Sequence, residues 1–130
     1  MTSPELAAWF DAGRTITIIG SRAGLDSLAS RLRTAEAGPL DLDTEPPAEP
    51  FVGAAASIQI LVTEEPGVAA ERRGDEVLVV GGREGLAILA DNVHRLAADP
   101  AALGGHIHIE HFPGHAYVRT GSAPLVVESR

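Results

Sequence analysis

The chain predicts an α+β domain in which two main helices lie on one face of a mostly antiparallel sheet. Three observations carry that expectation. First, Leu25, Leu28, Ala29 and Leu32, and again Leu86, Leu89, Val93, Leu96 and Ala97, recur at steps of three and four. They mark two amphipathic helices, over about 23–35 and 84–98. Second, β-rich runs bounded by Gly, Pro and acidic turns occur at 15–19, 57–63, 68–72, 76–80, 106–110, 116–119 and 125–128. The resulting order, β-α-β-β-β-α-β-β-β, sets runs of strands between single helices. Third, the pattern repeats within the chain.

The repeat is visible in the residues. Gly20, Arg22, Gly24, Leu25, Leu28 and Ala29 align with Gly81, Arg83, Gly85, Leu86, Leu89 and Ala90. The stretch Pro66 to Val80 aligns with Pro113 to Val127, with Gly74 and Gly121 at tight turns. Two β-α-β-β units follow, over about 15–73 and 76–128, within a single domain spanning 1–130. Ahead of them, Ser3-Pro4-Glu5 is helix-start chemistry, Leu6, Trp9 and Phe10 fall on one helical face, and Gly13 is a stop. These predict a short N-terminal helix. The first unit carries an insertion at 38–50, rich in proline and acid (Asp41, Asp43, Glu45, Glu49), expected to be an extended surface loop with Leu40 and Leu42 partly exposed.

Bulk composition limits the function classes. With 130 residues and 45% apolar content the chain can bury one core. No apolar run approaches the ~20 residues that span a bilayer. The N-terminus lacks a basic region followed by a long apolar one, so no secretory signal is read there. Cysteine is absent, which removes disulfides, thiol catalysis and thiolate metal sites, and fits the cytoplasm. Eighteen acidic against ten basic side chains give a net charge of −8. That argues against nucleic acid and favours a basic partner, although moderate acidity also serves plain solubility.

The densest chemistry lies at 106–115, where four of the five histidines fall: His106, His108, His111 and His115. On a strand, His106, His108 and Glu110 share one face and Ile107 and Ile109 the other. That two-His-one-carboxylate set suits a divalent metal such as zinc, with His115 as a further ligand if it comes back across the following hairpin. It equally suits an exposed polar face, or one that recognises a partner without metal. Gly81-Gly82 precedes a helix N-terminus but fits neither the dinucleotide fingerprint nor a P-loop, and the chain contains no lysine. Close packing of strand on helix is the better account of these glycines. The serines lie in no nucleophile elbow. Arg22 and Arg83 hold equivalent places, bracing a turn or offering a guanidinium to a partner carboxylate.

The stretch GGREGLAILADNVHRLA, followed by GGHIHIE and closed by GSAPLVVES, resembles the immunity protein 32 family of bacterial polymorphic toxin systems. The matching positions are Gly82, Gly85, Leu86, Leu89, Ala90, His106, His108, Gly121, Ser122, Leu125 and Val127, within about 76–128. The first unit departs from the pattern, with Gln59-Ile60-Leu61 where the second has His-x-His. The resemblance implies a small cytoplasmic antitoxin-like protein that binds and blocks a cognate toxin domain, with no cofactor. The candidate contact residues are His106, His108 and Glu110 on the sheet face, Asp41, Asp43 and Glu45 on the insertion, and Arg83. Two other readings stay open. One is a metal-dependent enzyme or metal-binding module built on His106, His108 and His115, similar to the vicinal-oxygen-chelate enzymes. The other is an assembly protein that forms a homodimer through a sheet edge.

Overall fold

Leu6, Ala8 and Phe10 point into the core with at most 4% exposure, and this two-residue period belongs to a strand. The computed structural model describes residues 5–36, 38–45, 50–99, 105–110 and 117–130. In it the first element is β1 (Leu6–Phe10), in place of the expected helix. A helix of one or two turns is marginal alone. Pairing antiparallel with β2 (Ile16–Gly20) instead supplies a full ladder, with Asp11 Oδ1 accepting from the Gly13 amide at 2.8 Å in the connecting turn. The Ser3-Pro4 start signal lies outside the described residues.

The remaining order is α1 (Arg22–Thr34), β3 (Leu40–Asp41), β4 (Gly53–Ala54), β5 (Ser57–Val62), β6 (Val68–Arg73), β7 (Glu76–Gly81), α2 (Arg83–Ala98), β8 (His106–Ile109) and β9 (Leu125–Ser129). The fold is α+β and its strand pairs are mostly antiparallel. The strands form two sheets where one was expected: β4-β1-β2-β9-β8 and β3-β5-β7-β6. Within them, β2 runs parallel to β9 and β5 parallel to β7.

That pairing has an internal symmetry. The series β1-β2-α1-β3-β5 corresponds to β6-β7-α2-β8-β9, and each half gives its last two strands to the sheet begun by the other. The division differs from the one drawn on sequence. β6 opens the second half, because the β6–β7 hairpin leads into α2 as β1–β2 leads into α1. The match of Pro66–Val80 with Pro113–Val127 therefore sets β7 on β9, two strands with different neighbours, and residues 113–116 lie outside the described set.

Both helices are cut to the same plan. Ser21 caps α1, its Oγ accepting from the Gly24 amide at 3.2 Å, and Gly82 takes the equivalent place before α2. Buried Leu25, Leu28, Ala29 and Leu32 of α1 join Leu86, Leu89, Ala90 and Val93 of α2 and the inner strand residues in one core. Across the helix pair Arg33 reaches Asp91 at 2.6 Å and His94 reaches Asp26 at 3.4 Å. Gly81 and Gly82 admit close backbone approach, as expected, a Cβ on either lying 2.9 Å from a carbonyl oxygen, and Gly24 and Gly85 do the same within the first turn of each helix. A Cβ on Gly24 would lie 2.0 Å from the Glu5 carbonyl oxygen, and one on Gly85 would lie 3.0 Å from the Gly67 carbonyl carbon.

The acidic insertion is only partly a loop. Leu40 and Asp41 pair with Ile58 and Ser57, and the Leu42 amide donates to Ala56 O at 3.0 Å. Leu42 is 5% exposed and sits in the core, which corrects its expected exposure. Asp43, Val52 and Ala55 lie along the outer edge of β1, their amides donating to the carbonyls of Leu6, Phe10 and Ala8. These bonds satisfy an edge that would otherwise present open backbone groups. Glu49 is outside the described residues.

Candidate functional site

β8 is the last strand of the five-stranded sheet, and its alternation is as the residue pattern requires. His106 and His108 are exposed, Ile109 is buried, and Glu110 is exposed just past the strand end. The two imidazoles meet edge to face, with ring centroids 4.9 Å apart. Antiparallel pairing with β9 sets His106 opposite Glu128 and His108 opposite Val126. The Ser129 amide donates to Gly105 O at 2.9 Å, so Gly105–Ser129 is a hydrogen-bonded pair. His106–Glu128 and His108–Val126 are then the closely spaced pairs between, whose side chains approach most nearly. Glu128 thus joins the histidine face. Reading strands one at a time missed it, because only the register of β8 on β9 brings it there.

The inner side of β8 faces α2. A groove of about 510 Å³ lies between them, lined by Asn92, Leu96, Ile107, His108, Ile109 and Tyr117. The Asn92 side-chain amide donates to the Tyr117 hydroxyl at 2.9 Å. Arg119 anchors the Tyr117 segment: its guanidinium donates to Thr63 Oγ1 at 2.6 Å, Glu65 O at 2.7 Å and Pro66 O at 3.0 Å. Burial raises the Tyr117 hydroxyl above its usual 10.0, and the Asn92 hydrogen bond opposes that rise. Tyr117 is the only tyrosine, so tyrosinate absorbance reports it alone. We expect its midpoint above pH 10.0. The folded state then holds the proton more tightly than the unfolded one. Stability from this group is complete below pH 10.0 and is lost as pH rises through the folded pKa. Tyr117→Phe should remove that alkaline slope, and a midpoint at or below 10.0 would contradict the buried setting.

The other sequence-derived residues lie elsewhere. Asp41 sits exposed on β3, the edge of the four-stranded sheet. Asp43 lies beside Leu6 of β1, at the opposite edge of the five-stranded sheet from β8, and accepts from the Glu45 amide at 3.0 Å. Arg83 is exposed at the first residue of α2, about 18 Å along the helix from Arg95 at ~1.5 Å per residue. It lines a separate cavity of about 360 Å³ with Thr63, Glu64, Pro66 and Ile88. The structure therefore brings His106 and His108 together, sets Glu110 exposed one residue past the strand, and leaves Asp41, Asp43, Glu45 and Arg83 apart from them. Among the described residues no three His, Cys, Asp or Glu side chains are grouped to hold a metal, and His111 and His115 lie outside that set. No helix among the described residues is long and apolar enough to cross a membrane.

A sequence model described as immunity protein 32 matches residues 15–47 and 76–130, more than half of the chain. The matched segments contain β2, α1 and β3 in one half, and β7, α2, β8 and β9 in the other. No curated protein and no solved structure matches.

Proposed function

Because the chain belongs to the immunity protein 32 family, we propose that it binds a cognate bacterial toxin domain in the cytoplasm and neutralises it as a stoichiometric partner. Family membership is the observation that carries the reading. The geometry supports it by offering a prepared recognition surface: exposed His106 and His108 on β8, Glu110 just past its end, and Glu128 opposite His106 on β9. Imidazole and carboxylate groups held on a sheet present hydrogen-bonding atoms at fixed spacing, so little side-chain ordering is left to be done on binding. The net charge of −8 would steer a toxin with a basic surface, such as one whose own substrate is anionic. Asp41, Asp43, Glu45 and Arg83 belong to this reading as outlying contacts that a large partner would reach around the sheet edges. The test is complex formation with candidate toxin domains sought among the neighbouring genes, followed by calorimetry. One-to-one binding that weakens as salt is raised is expected, and no complex at micromolar concentrations would remove the reading.

A further inference from the structure

We propose that β8 is a strand-addition site, at which an extended segment of a basic partner protein becomes the sixth strand of the five-stranded sheet. The proposal rests on the immunity reading and adds its mode of contact. Because Gly105 and Ser129 form a hydrogen-bonded pair, Ile107 and Ile109 also turn their backbone groups toward β9. The amides and carbonyls of His106 and His108 therefore point off the sheet. Among the described residues no strand pairs with that edge.

The other edges are handled differently. β4 and β3 are two residues each. The outer side of β6 is occupied by the segment before β9: Tyr117 O accepts from Val68, Val68 O from Arg119, and Ala70 O from Ala123, at 2.7, 2.8 and 2.8 Å. β8 has four residues, no proline and no lysine or arginine, the devices by which exposed edges are normally guarded. An edge unpaired among the described residues, beside a ready groove, is the arrangement used for peptide strand addition, in which main-chain bonds give affinity and pockets select alternate side chains. Here the groove against α2 has an apolar wall of Leu96, Ile107 and Ile109.

Charge selects the occupant. Glu110 at the strand end and Glu128 on the neighbouring strand make the histidine face acidic, within a chain of net charge −8. The matching segment alternates apolar residues, which enter the groove, with arginine or lysine, which meet the carboxylates. A second copy of this chain would bring the same acids against them, so it fits less well.

The probe is a capped hexapeptide alternating valine and arginine, with a valine–glutamate peptide as control. Hydrogen exchange is read amide by amide on the whole chain. At about ten times its dissociation constant the arginine peptide should slow exchange at the His106 and His108 amides about tenfold, and the glutamate peptide should not. His108→Pro removes an outward N–H that the sheet does not use, and should abolish the effect. If that variant fails to fold, the exchange pattern of the unmodified chain still decides. Protection elsewhere, no protection, or protection of these amides by self-association without peptide would each overturn strand addition. A toxin domain that binds without protecting them would overturn it while sparing the immunity reading, and failure of every toxin to bind would sink both.

Discussion

Gly24→Ala is expected to destabilise the chain by about 3 kcal/mol, against the usual gain of ~1 kcal/mol for alanine over glycine inside a helix. The reason is local. The new Cβ would lie 2.0 Å from Glu5 O, a backbone atom that already accepts from the Ser21 amide at 3.0 Å. Relief requires moving either the entry to β1 or the first turn of α1, and both moves break that bond. Gly85→Ala is the internal comparison. Its Cβ meets Gly67 at 3.0 to 3.1 Å, so a shift of a few tenths of an ångström suffices and a loss nearer ~1 kcal/mol is expected. Urea unfolding with an unchanged m-value measures both. A neutral or stabilised Gly24→Ala would show that the turn is looser than described.

Leu89→Ala should cost about 3–4 kcal/mol. Leu89 is 1% exposed and lies in the core shared by the two helices and both sheets, so neighbours on several elements would have to move to close the cavity. Ile88, one position along, is 36% exposed, and Ile88→Ala should cost less than ~1 kcal/mol. Thermal or chemical unfolding of the pair separates a packed helix interface from general loss of apolar bulk. Equal small effects would mean that α2 does not pack as described.

Much of this fold can be read from local pattern. Both helices announce themselves by leucine spacing, and 57–62, 68–73 and 76–81 by β-rich runs between turns. What escaped depends on pairing. Leu6 to Phe10 carries helix-start residues before it and only five residues of alternation, so its identity as a strand is decided by β2 lying alongside. Leu42 stands in a run of acids and prolines that predicts exposure, yet pairing of its neighbours with β5 and β1 seats it in the core. Nothing in the local residues of β5 states that it will lie beside β7, or β9 beside β2, because strand partners are chosen by the assembled core.

The site divides in the same way. Alternation placed His106 and His108 together, and the structure keeps them so. Glu128 depends on register with β9, and the groove depends on α2 and Tyr117, elements well apart along the chain. Acidity alone links the insertion carboxylates to the histidine strand, and the sheet holds Asp43 and β8 at opposite edges. A contiguous partner reaching both would have to cover the width of that sheet.

On the proposed reading the chain neutralises a toxin by occupying it. The measurement to make is the activity of a cognate toxin domain, once one is found to bind, titrated with purified chain at a toxin concentration well above the dissociation constant. Occupancy predicts a linear fall in activity that ends at one equivalent and does not deepen with time. Complete inactivation by a small fraction of an equivalent, progressing with time, would mean turnover and would contradict the account.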